Sequence, residues 1–180
     1  DLHDEFKTEN LCMAGGVALN CVANGKILKN EIFKNVWVQP ASGDAGGAVG
    51  VAFAAWHKEL KNIREVVLPD AMNGSYLGPS FNDDEIESSL GNNHAVYKKY
   101  SEDEILEKLS VDLLEGKAVG WFHGRMEFGP RALGGRSIIG NPLISDMQKK
   151  LNLKVKFRES FRPFAPSVLK DKANEWFDIK

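Results

Sequence analysis

Cysteine is scarce in this sequence: Cys12 and Cys21 are the only two in 180 residues. Both sit among apolar neighbours, so they read as reduced, buried thiols, and neither a disulfide framework nor a cysteine-rich zinc site is expected. Histidine is equally thin, with His3, His57, His94 and His123 scattered outside any metal-ligand spacing. No run of about 18 apolar residues occurs, which excludes a membrane-spanning helix. The polar opening Asp1-Leu-His-Asp-Glu-Phe-Lys7 has no signal-peptide character. A cytoplasmic protein without membrane contact is therefore expected. Charge of one sign is also missing: 23 Lys and Arg face 25 Asp and Glu, for a net charge of −2. What is present is apolar material, 43% of the residues, enough for one domain or two small ones and against disorder. The chain begins without Met and stops just after an apolar helix-like run, so it reads as a fragment of something longer.

The charge is unevenly placed. Between Gly120 and Ala165 nine Lys or Arg stand against three acids, a local excess of six positive charges. The excess centres on Gly120-Trp-Phe-His-Gly-Arg-Met-Glu-Phe-Gly-Pro-Arg-Ala-Leu-Gly-Gly-Arg-Ser137, where Arg125, Arg131 and Arg136 recur among glycines and Pro130. A short buried strand, Ala118 to Phe122, feeds it. Guanidinium groups are permanently charged forks of donors suited to phosphate or carboxylate, and glycine-rich turns add backbone N–H groups to the same concavity. A solvated basic loop is the competing reading; the local excess favours an anion site.

Upstream, the spacing predicts a strand at 11–14, a turn at Gly15-Gly16 and a helix from Val17 to Leu28. A glycine pair opening a helix suits a phosphate, although such pairs also serve packing. Asn20 falls where it could reach a ligand or satisfy nearby backbone. A second strand at 33–39 leads through Pro40-Ala-Ser-Gly-Asp44 into a helix at 45–60. Asp44 reads either as an N-cap or as a ligand to a metal or ribose hydroxyl. Residues 62–77 read as linker. Beyond them come a helix near 84–90 and a capping box, Ser101-Glu-Asp-Glu104, opening a helix whose stripe of Ile105, Leu106, Leu109, Leu113 and Leu114 reads as core. After the arginine loop the pattern predicts an extended piece at 137–142 and a helix from about 145 to 151. Next comes an extended segment in which Lys156 and Arg158 share one face opposite Val155 and Phe157. Residues 164–169 are expected to enter a sheet, and a last helix to span about 170–177.

In order along the chain lie Gly15-Gly-Val-Ala-Leu-Asn20, Gly43-Asp-Ala-Gly46, Tyr76-Leu-Gly-Pro79, Glu127-Phe-Gly-Pro-Arg-Ala-Leu-Gly134, Arg136-Ser137, Lys156-Phe-Arg-Glu159 and Arg162-Pro-Phe-Ala-Pro166. With these motifs the sequence resembles the O-carbamoyltransferase family of nodulation-factor and antibiotic-tailoring enzymes. The resemblance implies an α/β fold, α+β in its second part. Residues 1–66 would end an actin-like, sugar-kinase-type domain, 67–77 would be linker, and 78–180 would begin a YrdC-like domain. It implies that carbamoyl phosphate and ATP with Mg²⁺ form carbamoyl adenylate, whose carbamoyl group passes to a hydroxyl of a small-molecule acceptor. Gly15, Gly16, Asn20 and Gly43 would then contact the nucleotide. Asp44 would be a ligand of a divalent metal, iron, shared with histidines outside this chain. Arg125, Arg131, Arg136, Ser137, Lys156, Arg158 and Arg162 would clamp the phosphates, with Arg131, Arg136, Lys156 and Arg158 acting in catalysis. Two other readings stay open: an RNA-binding module related to tRNA modification, and a non-catalytic fragment. Against RNA, Phe128, Phe157, Phe161 and Phe164 read as packing residues and not as stacking platforms, so nucleic acid is not the expected partner.

Overall fold

A computed structural model describes residues 2–178. Helices mix with two small two-stranded sheets, and the chain forms two compact units. The first comprises the residues up to 94 together with 122–137; the second comprises 95–121 together with the residues from 138 on.

In the first unit, helix α1 (Leu2–Phe6) precedes strand β1 (Asn10–Met13), a 3-10 turn (Gly16–Leu19), helix α2 (Cys21–Lys29) and strand β2 (Asn35–Val38). β1 and β2 run parallel in the register Asn10↔Asn35 to Met13↔Val38. A parallel pair requires a crossover, and α2 supplies it. α2 starts at Cys21 and not at Val17, because Asn20 caps it: its side-chain oxygen accepts from the Ala23 amide at 3.1 Å. Helix α3 (Asp44–Ala54) runs on into a π-helical turn (Ala55–Glu59), and α4 (Asp83–Asn92) is opened by the reciprocal box of Asn82 and Glu85, with bonds of 2.9 and 2.8 Å.

In the second unit α5 (Glu102–Leu114) has the expected capping box, Ser101 with Glu104. Strand β3 (Val119–Phe122) pairs with β4 (Arg136–Ile139), and the chain passes between the units within both. Helix α6 (Met147–Lys150) continues as a π-helical turn, Leu151–Val155, and a 3-10 turn (Lys170–Lys172) leads into α7 (Ala173–Trp176).

Four expectations need correcting. Residues 154–158 are not extended: Lys154 and Val155 lie in the π-helical turn, Lys156 has helical φ/ψ, and Phe157 has φ +49°. Buried Met147 and Leu151, one helical turn apart, carry the helix into the alternating stretch as far as Val155, so the shared face of Lys156 and Arg158 does not form. Residues 164–169 form no strand. Cys12 and Cys21 are free but exposed; in β1 only the Leu11 and Met13 face is half-covered, which leaves Cys12 on the open face. The α5 stripe is not core, since Ile105, Leu106 and Leu114 are exposed and only Leu109 and Leu113 are half-buried. Among the described residues the buried hydrophobic side chains are Ala18, Met147 and Leu151.

Candidate functional site

Parallel strands deliver their following loops to one end, the usual place for a ligand in an α/β sheet. Here β1 runs into Gly15-Gly16 and β2 into Pro40-Ala-Ser-Gly43. The two loops are joined where the Gly15 amide donates to the Ser42 carbonyl at 2.6 Å. Ala41 in the second loop has φ +53°, a left-handed conformation that costs a non-glycine residue about 1 kcal/mol. Ser42 is only 3% exposed, and its Oγ meets no hydrogen-bond partner among the described residues. Gly43 takes the cap position of α3, and Asp44, exposed, is the first helical residue. Thus Gly15, Gly16, Gly43 and Asp44 are gathered at one end of one sheet. Asn20 is nearby in sequence, but its carboxamide oxygen is committed to capping α2. Among the described residues no group of three or more His, Cys, Asp or Glu able to hold a metal is present, at Asp44 or elsewhere.

The arginine loop belongs to the same unit. Gly129, at φ +105°, lies so close to Ala41 that an added Cβ would fall 2.5 Å from the Ala41 Cβ. Arg131, exposed, donates through Nη2 to the Leu19 carbonyl at 3.2 Å, which anchors its side chain beside the turn that follows Gly15-Gly16. The other flank is held by Tyr76-Leu-Gly-Pro79. The Phe128 amide donates to the Ser75 carbonyl at 2.6 Å, Gly78 to Met126 at 2.8 Å and Met126 to Pro79 at 2.9 Å. Arg125 Nη1 reaches the Gly78 carbonyl at 2.7 Å, and the Tyr76 hydroxyl donates to the Leu133 carbonyl. The turn before Tyr76 is built on Asp70, which accepts from the Met72 and Gly74 amides at 2.9 and 2.7 Å. Those amides, Gly74 foremost, hold the Asp70 carboxyl below its ordinary pKa. A cleft of about 230 Å³ lies among Tyr76, His123, Gly124, Arg125, Gly134 and Gly135.

Inside the loop sits Glu127, 5% exposed. Its Oε1 accepts from the amides of Leu133, Gly135 and Arg136 at 2.7, 2.6 and 3.1 Å. Burial alone would raise its pKa. The amides of Leu133, of Glu127 itself, of Arg136 and of Gly135 outweigh that and hold it at about 2. Gly134 is also engaged, donating its amide to Ser137 Oγ at 3.0 Å. Arg136 turns inward: Nη1 donates to the carbonyls of His123, Gly124 and Gly135 at 3.4, 3.2 and 2.7 Å, and its guanidinium carbon lies 3.4 Å above the Phe122 ring. The amides of residues 133–136 are thus occupied by the protein, and Arg125 and Arg131 are the loop's exposed guanidinium groups.

The remaining cations, Lys156, Arg158 and Arg162, belong to the second unit. Asn152, with 0% exposure, holds the segment that carries Arg158 and Arg162. Its Nδ2 donates to the carbonyls of Ser160 and Arg162 at 3.1 and 2.8 Å, and its Oδ1 accepts from Arg158 Nε at 2.6 Å. Arg158 also lies 4.9 Å from the Phe164 ring centroid. Arg162 pairs with Glu159 at 2.8 Å, and Lys156 is exposed. Gln148 also donates to the Arg162 carbonyl, at 3.1 Å, so Asn152→Leu strands chiefly the Ser160 carbonyl and Arg158 Nε. A loss of about 2 kcal/mol in urea unfolding of the full-length protein is expected; a loss below about 0.5 kcal/mol would mean that water replaces those bonds. Glu127, Tyr76, Ser42 and Asn152 were not singled out as site residues from sequence. Tyr76 and Glu127 each open one of the motifs given above, and Glu127 is also the lone acid between Gly120 and Ser137.

Comparison with known proteins returns two family models: residues 1–53 match the carbamoyltransferase N-terminus and residues 110–180 the carbamoyltransferase C-terminus. An uncharacterized protein of Synechocystis sp. is 58% identical over 180 residues, 99% of this chain and 29% of its own length. Nodulation protein NolO of Bradyrhizobium diazoefficiens is 40% identical over 172 residues, 94% of this chain and 30% of its own length. An uncharacterized protein of Methanocaldococcus jannaschii is 31% identical over 183 residues, 98% of this chain and 29% of its own length. The chain spans about 30% of the length of these curated relatives.

Proposed function

Since the chain belongs to the carbamoyltransferase family, we propose that it is the part of an O-carbamoyltransferase that binds ATP with Mg²⁺ and carbamoyl phosphate for transfer to a small-molecule hydroxyl. In this reading residues 1–66 end an actin-like domain and 78–180 begin a YrdC-like domain. The observation that carries it is the anchoring of Arg131 on the Leu19 carbonyl, which brings a phosphate-seeking loop to the carboxyl end of β1 and β2. Nucleotide phosphates and loop cations would meet there.

The chemistry fits the residues. Carbamoyl phosphate first gives up its phosphate to water, leaving carbamate and inorganic phosphate. A carbamate oxygen attacks the α-phosphate of ATP and pyrophosphate leaves. The acceptor hydroxyl then attacks the carbamoyl carbon, losing its proton, and AMP departs. Negative charge accumulates on the transferred and departing phosphates, and fixed cations stabilise it without reorganising. Arg125 and Arg131 supply such cations beside the β1 and β2 loops. Arg136 contributes by holding the loop's carbonyls. Gly15, Gly16 and Gly43 allow the nucleotide close to the backbone, and the Ser42 hydroxyl is a donor still without a partner there. An iron at Asp44 requires ligands from outside this chain and would supply Lewis-acid activation when bound; no step here depends on it.

The test is calorimetric titration of the full-length protein with ATP and Mg²⁺, with and without carbamoyl phosphate, repeated on Arg131→Ala. Loss of one charge-assisted contact should weaken binding by about 1–3 kcal/mol. Unchanged affinity in the variant would remove the arginine loop from the site. Binding of mixed RNA, steeply salt-dependent and indifferent to ATP, would favour the nucleic-acid reading instead.

A further inference from the structure

We propose that Glu127 is a positioning residue of the arginine loop: its Oε1 fills the nest of backbone amides that residues 133–136 would otherwise turn toward a ligand, so that substrate phosphate is held by guanidinium groups and not by loop backbone. The inference rests on the proposed phosphate-binding role of the loop. A run of amides curled around one point is an anion site wherever it occurs. Here the anion is part of the chain: three amides converge on a single oxygen at 2.6–3.1 Å, and the fourth, Gly134, is taken by Ser137 at 3.0 Å.

The fit is tight from both sides. A Cβ added to Gly135 would lie 2.7 Å from the Arg125 carbonyl oxygen and 3.2 Å from the Glu127 carboxylate, so the backbone at 135 is pressed onto the side chain it bonds. The same Gly135 amide that meets Glu127 is followed by the Gly135 carbonyl that accepts from Arg136 Nη1. Carboxylate and guanidinium thereby brace one residue, Gly135, at its N–H and at its C=O. With that brace in place, the Leu133 carbonyl is presented to the Tyr76 hydroxyl and Arg131 stands six residues or fewer from every braced amide. Geometry also rules on the alternative role for an acid in a transferase site. A general base needs an oxygen that can take up a proton from the acceptor. Oε1 is saturated by three donors, Oε2 lies against the Gly135 backbone, and at 5% exposure the side chain is covered from an acceptor hydroxyl.

Positioning and proton transfer differ in what they change. In the full-length protein, Glu127→Gln keeps an oxygen acceptor but loses the charge, and Glu127→Ala loses both. Hydrogen exchange of the Leu133, Gly135 and Arg136 amides should accelerate tenfold or more in Glu127→Ala and less in Glu127→Gln, a reading that needs no substrate. In carbamoyl transfer, KM for carbamoyl phosphate should rise about tenfold in Glu127→Gln with kcat within about threefold, and added formate should partly restore Glu127→Ala. Unchanged exchange at the three amides overturns the proposal. So does a kcat reduced a hundredfold at constant KM, which is the mark of a base. Should the wild type bind neither ATP nor carbamoyl phosphate, the functional reading fails while the exchange result still decides whether Glu127 holds the loop.

Discussion

Gly129→Ala is expected to destabilise the protein by about 4 kcal/mol and to abolish ligand binding at the arginine loop. Two costs act together. At φ +105° an alanine sits in a region that L side chains avoid, which costs about 1–3 kcal/mol. Its methyl would also lie 2.5 Å from the Ala41 Cβ and 3.2 Å from the Ala41 Cα, and such overpacking costs about 1–3 kcal/mol more. Ala41 has little freedom to retreat: its own φ is +53°, and its carbonyl oxygen lies where a Cβ on Gly46 would be, so α3 blocks it from behind. Relief therefore comes from moving the loop away from Ala41, which pulls Arg131 off the Leu19 carbonyl. Urea unfolding and ATP titration of the full-length variant check both parts. Native stability with intact affinity would show that the two loops are not held together in the functional protein.

Acid should release the same loop through Glu127. Its folded pKa of about 2 lies below the ordinary 4.5, so the unfolded chain binds the proton first as pH falls. The sign follows: this carboxylate's contribution is complete above about pH 4.5 and is lost as pH falls toward 2. A depression of this size corresponds to about 3 kcal/mol at most. Other carboxylates held below their ordinary pKa by hydrogen bonds, such as Asp70, Asp112 and Glu104, add acid sensitivity of the same sign. Comparison with Glu127→Gln isolates the buried group. The difference in unfolding free energy between wild type and variant should be largest near neutral pH and shrink between pH 4.5 and 2. Parallel curves would show that Glu127 is not the charged, amide-bound group described here.

Much of the local structure was legible from residues alone, and the reason is range. Ser101 and Glu104 declare a helix start because their bonds close within three residues. Asn82 and Glu85 do the same for α4. Strand, glycine turn and helix from Asn10 to Lys29 follow from short-range pattern, with Asn20 shifting the boundary because an N-cap outweighs periodicity at its own position. The reading failed where alternation competed with helix continuation, at Lys154 to Arg158, and where burial was assumed from pattern. A stripe such as Ile105 to Leu114 becomes core only if another element covers it, and in the described structure none covers it fully.

Residue types and their order establish which chemistry is present: a glycine-rich, arginine-bearing loop, a glycine pair after one strand, a carboxylate after the next, and motifs that resemble one family. Tertiary structure decided how those groups are used. Glu127 meets amides six to nine residues away, and Arg131 meets Leu19 across 112 residues. Bonds over such separations depend on where the backbone is carried by everything between, not on any local preference. Hence a row of amides that composition offers to a ligand is taken by the chain's own carboxylate, and an arginine that reads as a phosphate clamp, Arg136, is turned inward onto carbonyls and Phe122.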